Sequence, residues 1–128
     1  MDSIVFGPDL ALGIPVMDQS HRIIFALLES MQSLPRPAFD EACQALTAEF
    51  AEDLAEENRL MAAIAYPLRE THRAAHAALL ASLDQALGLL AAGDESGARD
   101  IMRSLPDSIE AHINTMDLAL AVAASHLK

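Results

Sequence analysis

Four long amphipathic stretches follow one another along the chain, separated by short breaks carrying Pro or Gly. Residues 1–16 hold Gly7-Pro8 and Gly13-Ile14-Pro15 and read as an extended arm, because proline disfavours helix in the residue before it. A first helix is expected from about Asp18, an acceptable N-cap, to just before Pro35-Arg36-Pro37. A second is expected over about residues 38–65, closed by Tyr66-Pro67, and a third from Pro67 or just after it to near Gly93. The fourth covers about residues 95–124, and Pro106 inside it is expected to kink or split it. On the second stretch Phe39, Cys43, Leu46, Phe50, Asp53, Glu57, Leu60 and Ile64 advance by alternating fours and threes, the spacing of a bundle seam. Leu68, His72, His76, Leu79, Leu83, Leu87 and Leu90 do the same on the third. His21, Ile24, Leu28 and Met31 form the stripe of the first, and Leu105, Ile109, His112, Ile113, Met116, Asp117 and Leu120 that of the fourth. Short links favour antiparallel neighbours, so the expected fold is all-α, an antiparallel up-down-up-down four-helix bundle with an extended N-terminal arm.

Composition narrows this picture. With 128 residues, 52% hydrophobic and 21% charged, the chain reads as one domain over residues 1–128, arm 1–16 and bundle 17–128. Eight Lys and Arg against 19 Asp and Glu give a net charge of −11, which argues against nucleic acid and anionic membrane surfaces as partners. Cys43 is the single cysteine, so no internal disulfide is expected; on the seam it reads as a small core residue. The start lacks a basic region before an apolar run, and the most apolar stretch, Ala74 to Ala92, is broken by His76 and Asp84. A buried helix face and a cytoplasmic protein are expected.

Polar residues interrupt the stripes where a core should be. Asp53 and Glu57 hold consecutive seam positions of the second helix, and His72 and His76 do so on the third; His21, His112 and Asp117 lie on the inward stripes of the others. An unpaired buried carboxylate costs several kcal/mol. Three carboxylates and four imidazoles aimed at one axis call for a shared compensation, which one or two bound cations supply. Residues four apart on a helix present their side chains from one face. Seven donors exceed the needs of one tetrahedral zinc and suit two first-row ions bridged by carboxylates, iron or manganese foremost. Singly, each histidine also reads as a hydrogen-bonded core residue, and Asp53 and Glu57 as part of the acidic face holding Glu52 and Glu56. Those two fall off the seam, however, and the coincidence spans four helices. His126, near the C-terminus, reads as exposed.

The chain resembles the hemerythrin family, specifically its single-domain bacterial members. Gly13-Ile14 with Asp18-Gln19-Ser20-His21 is similar to the family's opening G-I…D-x-x-H. Glu57-Asn58-Arg59-Leu60-Met61 is similar to E-E-x-x-M, Tyr66-Pro67 with His72 and His76 to Y-P…H-x-x-x-H, and His112-Ile113 with Asp117 to H-I-x-x-x-D. The resemblance implies two non-haem iron ions, oxo- or hydroxo-bridged, that bind O2 reversibly. It implies that His72, His76 and His112 hold one iron, that His21 holds the other, with an open position, and that Glu57 and Asp117 bridge them. Ile109 would help line the O2 pocket.

Asp53 departs from this pattern, standing where the family has a second histidine on the O2-binding iron. Milder departures are Phe6 for a tryptophan and Ser108 for an aromatic residue. An anionic oxygen in place of a neutral nitrogen favours the ferric state, so a lower potential, faster autoxidation and oxidase, peroxidase or redox-sensing behaviour are expected. The shorter Asp side chain also admits contact through a water, or loss of the second metal to leave a single ion on His72, His76 and His112. Three functional classes follow: an O2-binding carrier, store or sensor; an oxidising enzyme; and a metal-binding or structural module without reversible O2 binding. Manganese stays open as an alternative to iron. No Glu-x-x-His motif of the ferritin-like sites is present, nor a Gly-rich phosphate loop.

Overall fold

A computed structural model describes residues 11–126. Its elements are α1 (Pro15–Met31), α2 (Ala38–Ala63), α3 (Arg69–Ala91), α4 (Glu95–His112), a π-helical turn (Ile113–Asp117) and α5 (Leu118–Ser125), which extends the line of α4. α1 packs on α2, α2 on α3 and α3 on α4, and α4 closes the ring against α1. This is the expected four-helix bundle. The readings of residues 1–10, including Phe6 and most of the arm, lie outside the described residues.

The helix ends are where sequence and structure part most. α1 starts at Pro15 rather than at Asp18, because a proline at the first helical position gives up an N–H that has no partner there anyway. Asp18 caps in the opposite sense: from inside the first turn its carboxylate accepts the backbone N–H groups of Leu12 at 2.8 Å and Gly13 at 3.1 Å, fastening the incoming segment to the helix. α2 stops at Ala63, two residues short of expectation. Ala65 takes a left-handed φ of 50°, and the Tyr66 N–H reaches back 2.9 Å to the Met61 carbonyl. α3 ends in the same fashion on Gly93, whose φ of 85° is one that glycine adopts freely. Asp94 then caps α4, accepting the Gly97 N–H at 2.9 Å.

Pro106 does not split its helix; α4 is continuous from Glu95 to His112. Proline has no N–H to offer the carbonyl four residues earlier, that of Met102. The side-chain amide of Gln32, just past the end of α1, donates to that carbonyl at 3.2 Å and to the Leu28 carbonyl at 3.0 Å. One glutamine thus satisfies two carbonyls and ties α1 to α4. Other cross-ties close the same end of the bundle. Arg36 donates to the Leu90 carbonyl, Arg99 donates to the Leu34 carbonyl, and the Arg99 guanidinium lies 4.0 Å from the centre of the Phe39 ring.

The seam is nearly as the spacing predicts, with local shifts. Phe39, Cys43, Leu46 and Phe50 are buried as expected, but beyond Glu57 the core position falls on Met61, leaving Leu60 and Ile64 half-buried. Leu68, expected on the α3 stripe, is exposed because it precedes the first turn of the helix. Among the described residues the buried side chains form two apolar clusters. The larger spans all four helices and includes Ile24, Leu28, Phe50, Leu83, Leu105 and Ile113; the smaller joins Met17, Met61, Tyr66 and Leu120. Along each helix the polar inward residues lie between the two. By length and composition alone α3 could cross a membrane, but here it is one wall of the bundle and buries His72 and His76.

Substituting Gln32→Ala should therefore lower stability by about 1–2 kcal/mol, the cost of leaving a carbonyl short of a donor. In a Pro106→Ala background, where residue 106 regains an N–H for the Met102 carbonyl, the same substitution should cost clearly less. Denaturant melts of the four proteins in this cycle measure the difference, and an unchanged cost would remove the proposed pairing.

Candidate metal centre

Each helix delivers its polar residues by local geometry. Asp53 and Glu57 share one face of α2, and His72 and His76 share one face of α3, because four residues make little more than one helical turn. His21 comes from α1, between Met17 and Ile24. His112 and Asp117 pose a different problem. Five residues apart on an α-helix, their side chains would diverge by about 140°. The π-turn over Ile113–Asp117 widens the helix locally, and the Leu118 N–H reaches back to the Ile113 carbonyl five residues earlier. His112 Nε2 consequently lies 2.9 Å from Asp117 Oδ1. The Thr115 hydroxyl donates to the Ala111 carbonyl at 2.7 Å within this turn.

The donors form two lobes. In the first, His72 Nε2 lies 2.8 Å from Glu57 Oε1 and 3.0 Å from Asp117 Oδ1, and His76 Nε2 lies 3.0 Å from Glu57 Oε1 and 3.1 Å from His112 Nε2. In the second, His21 Nε2 lies 3.2 Å from Asp117 Oδ2, 3.6 Å from Asp53 Oδ2 and 3.8 Å from Glu57 Oε2. Glu57 and Asp117 each turn one oxygen to one lobe and the other oxygen to the other. Potential ligand atoms of Glu57, His72, His76, His112 and Asp117 lie within 4.8 Å of one another, as do those of His21, Asp53 and Glu57. All seven sequence-predicted donors meet here. Six are buried, and His112 keeps slight exposure. Asp53 Oδ1 and His76 Nδ1 are buried without a hydrogen-bond partner, an expensive state for polar atoms.

The cluster strongly perturbs its members. Burial opposes protonation of His21, but Asp117, Asp53 and Glu57 outweigh it and raise its pKa to about 11. His72 is raised to about 9 against the same burial, by Asp117 and Glu57. Burial pushes Asp53 up from the ordinary carboxylate range, opposed by His21 and reinforced by Glu57 and Asp117. For Glu57 burial is outweighed by His21, His72 and His76, and for Asp117 by His112, His21 and His72, so both are held low. Protons on imidazole thus balance the carboxylates when no other cation does. The donor set, two lobes sharing two carboxylates, fits a pair of metal ions.

Surface grooves run up to the first lobe. One of about 270 Å³ between α2 and α3 reaches His76, and one of about 230 Å³ beside Tyr66, Leu68 and the π-turn reaches His72. A third, about 430 Å³, lies between α3 and α4, where Ser108 and several alanines leave room beside His112. Ile109 is buried in the larger apolar cluster, three residues before His112, and supplies no donor. Cys43 is fully buried, and burial pushes its thiol up to about 11, so it is a core residue and no nucleophile. Glu52 is exposed, Glu56 pairs with Arg59, and His126 is exposed, each as its position implied.

The family pattern for the hemerythrin HHE cation binding domain matches residues 12–124. The chain belongs to this family. No curated protein and no solved structure matches it. A hemerythrin HHE domain is described as cation-binding, in keeping with the buried donors of this bundle. The spacing of five between His112 and Asp117 was the one sign in the sequence of a π-turn, since a regular helix cannot bring that pair together. The Gln32 to Met102 bond had no such sign.

In the metal-free protein, His21 and His72 bind protons more tightly folded than unfolded. Their stabilisation is complete below about pH 6.5 and is lost as pH rises through about 9 and about 11. The melting temperature of chelator-stripped protein should fall between about pH 7 and pH 11. Apparent metal affinity should rise over the lower part of that range, because binding must displace these protons. A titration with pH-resolved melts checks both slopes.

Proposed function

We propose that this bundle holds two first-row metal ions, iron foremost, and takes O2 as its small ligand, with Asp53 turning the centre toward oxidation rather than reversible carriage. The observation that carries the reading is the two-faced placement of Glu57 and Asp117, whose paired oxygens address separate lobes. Carboxylates placed in this way would serve two ions at once. His72, His76 and His112 would hold the first ion, His21 and Asp53 the second, and Glu57 and Asp117 both. Membership of a cation-binding family supports the same assignment.

Bound iron would supply the redox chemistry toward O2. The protein supplies position and environment. Four helices fix the donors, and the apolar clusters on either side keep bulk water from the layer. Ile109 is proposed as part of the apolar wall beside the site. The grooves at His72, His76 and His112 give small molecules a way in. Asp53 sets the direction of the chemistry. It is buried within the second lobe, where its carboxylate adds negative charge and stabilises the more highly charged, ferric state. This favours the oxidising or redox-sensing reading over that of a carrier.

Protein loaded anaerobically with iron alone should take up about two ions per chain, the number two bridged lobes require. On admission of O2 its visible spectrum should pass to a ferric form that persists when O2 is removed. Asp53→His should slow that oxidation and restore some reversibility. A spectrum that comes and goes with O2 in the unaltered chain would show a carrier, and a chain that takes up no iron would end the reading.

A further inference from the structure

The two lobes differ in chemistry as well as in position. The first gathers three imidazole nitrogens, from His72, His76 and His112, around one oxygen each of Glu57 and Asp117. The second has one imidazole, His21, facing three carboxylates: Asp53 and the remaining oxygens of Glu57 and Asp117. Nitrogen dominates one side and oxygen the other. Imidazole donors suit iron and the later first-row ions, whereas carboxylate oxygens suit manganese, so the advantage of iron over manganese narrows as carboxylates replace imidazoles. Calcium requires six to eight oxygens and magnesium keeps several waters, and neither favours a histidine at 3.2–3.8 Å from the carboxylates. Zinc favours nitrogen and sulfur donors. Manganese(II) accepts both the carboxylates and the single imidazole. Asp53 Oδ1, buried without a partner, adds an unsatisfied hard oxygen on the same residue.

We propose that the lobes select different ions, the three-histidine lobe taking iron and the His21–Asp53 lobe taking manganese(II), so that the chain assembles a mixed centre when both are supplied. The inference rests on the two-metal reading and names the occupant of each lobe. Asp53 is the selecting residue.

Metal-free protein would be incubated anaerobically with iron(II) and a roughly tenfold excess of manganese(II), then desalted. About one iron and about one manganese per chain are expected by elemental analysis. The manganese should give an electron paramagnetic resonance spectrum altered by a neighbouring iron, not the six-line signal of an isolated ion. Asp53→His should exchange the manganese for iron, Asp53→Glu should retain it, and His112→Ala should lose iron in preference to manganese. If Asp53→His leaves the manganese-to-iron ratio unchanged, or if the unaltered chain takes two irons from the mixture, the selectivity is overturned while the two-metal reading stands. Failure to bind any metal, from the mixture or from iron alone, overturns both.

Discussion

Everything in this bundle is arranged around a layer of ionisable side chains that has been taken out of water. His21, Asp53, Glu57, His72, His76 and Asp117 are buried, with His112 at their edge, and apolar clusters close the layer on both sides. Burying a charge without compensation is among the costliest acts available to a fold. The carboxylates are within reach of one another's fields, so they cannot ionise together unless positive charge is present. In the bare protein that charge is a set of protons on His21 and His72. Bound cations would fill the same role with directed bonds, which is why the layer makes sense as a cation site and poor sense as a core.

The helices supply the precision this needs. Spacings of four on α2 and α3 align two donors each at no conformational cost. The pair His112 and Asp117 has a spacing of five, so α4 gives way to a π-turn at that point. Rigid ends hold the layer in place. Asp18 fastens the segment before α1 only three residues from His21, and the turn at Tyr66 sets α3 on its path six residues before His72. Gln32 and the arginines secure the opposite end, where Pro106 removes a backbone bond. Irregular features thus cluster where donors must be aimed or where helices must be tied.

Much of this was legible in the sequence because burial and helical period write the same pattern. Stripes of fours and threes located the helices, their inward faces and all seven polar residues. The parts that were not legible depend on backbone detail. Pro15 and Asp18 each have a reason to begin a helix; Pro15 begins it, and Asp18 instead accepts from Leu12 and Gly13, contacts that no local propensity encodes. Leu60 and Met61 are both apolar neighbours, and it is Met61 that is buried, just ahead of the tight turn at Ala65. Pro106 reads as a helix breaker until a distant glutamine is seen to answer for the missing N–H.

Asp53 shows how far a single position can bend a shared architecture. Asp53 occupies a buried seam position of α2, where the resemblance to the family implies a histidine. What changes is the balance inside the layer. The carboxylate brings a negative charge and an oxygen donor to the lobe that already has the fewer nitrogens, and it does so where water cannot screen it. The first lobe keeps its full set of three imidazoles. The substitution therefore does not scale the whole centre up or down; it makes its two halves unlike. On the two-metal reading, a centre with unlike halves would separate holding an ion firmly from setting its charge state, and in this chain the second task would fall to the residue that departs from the family.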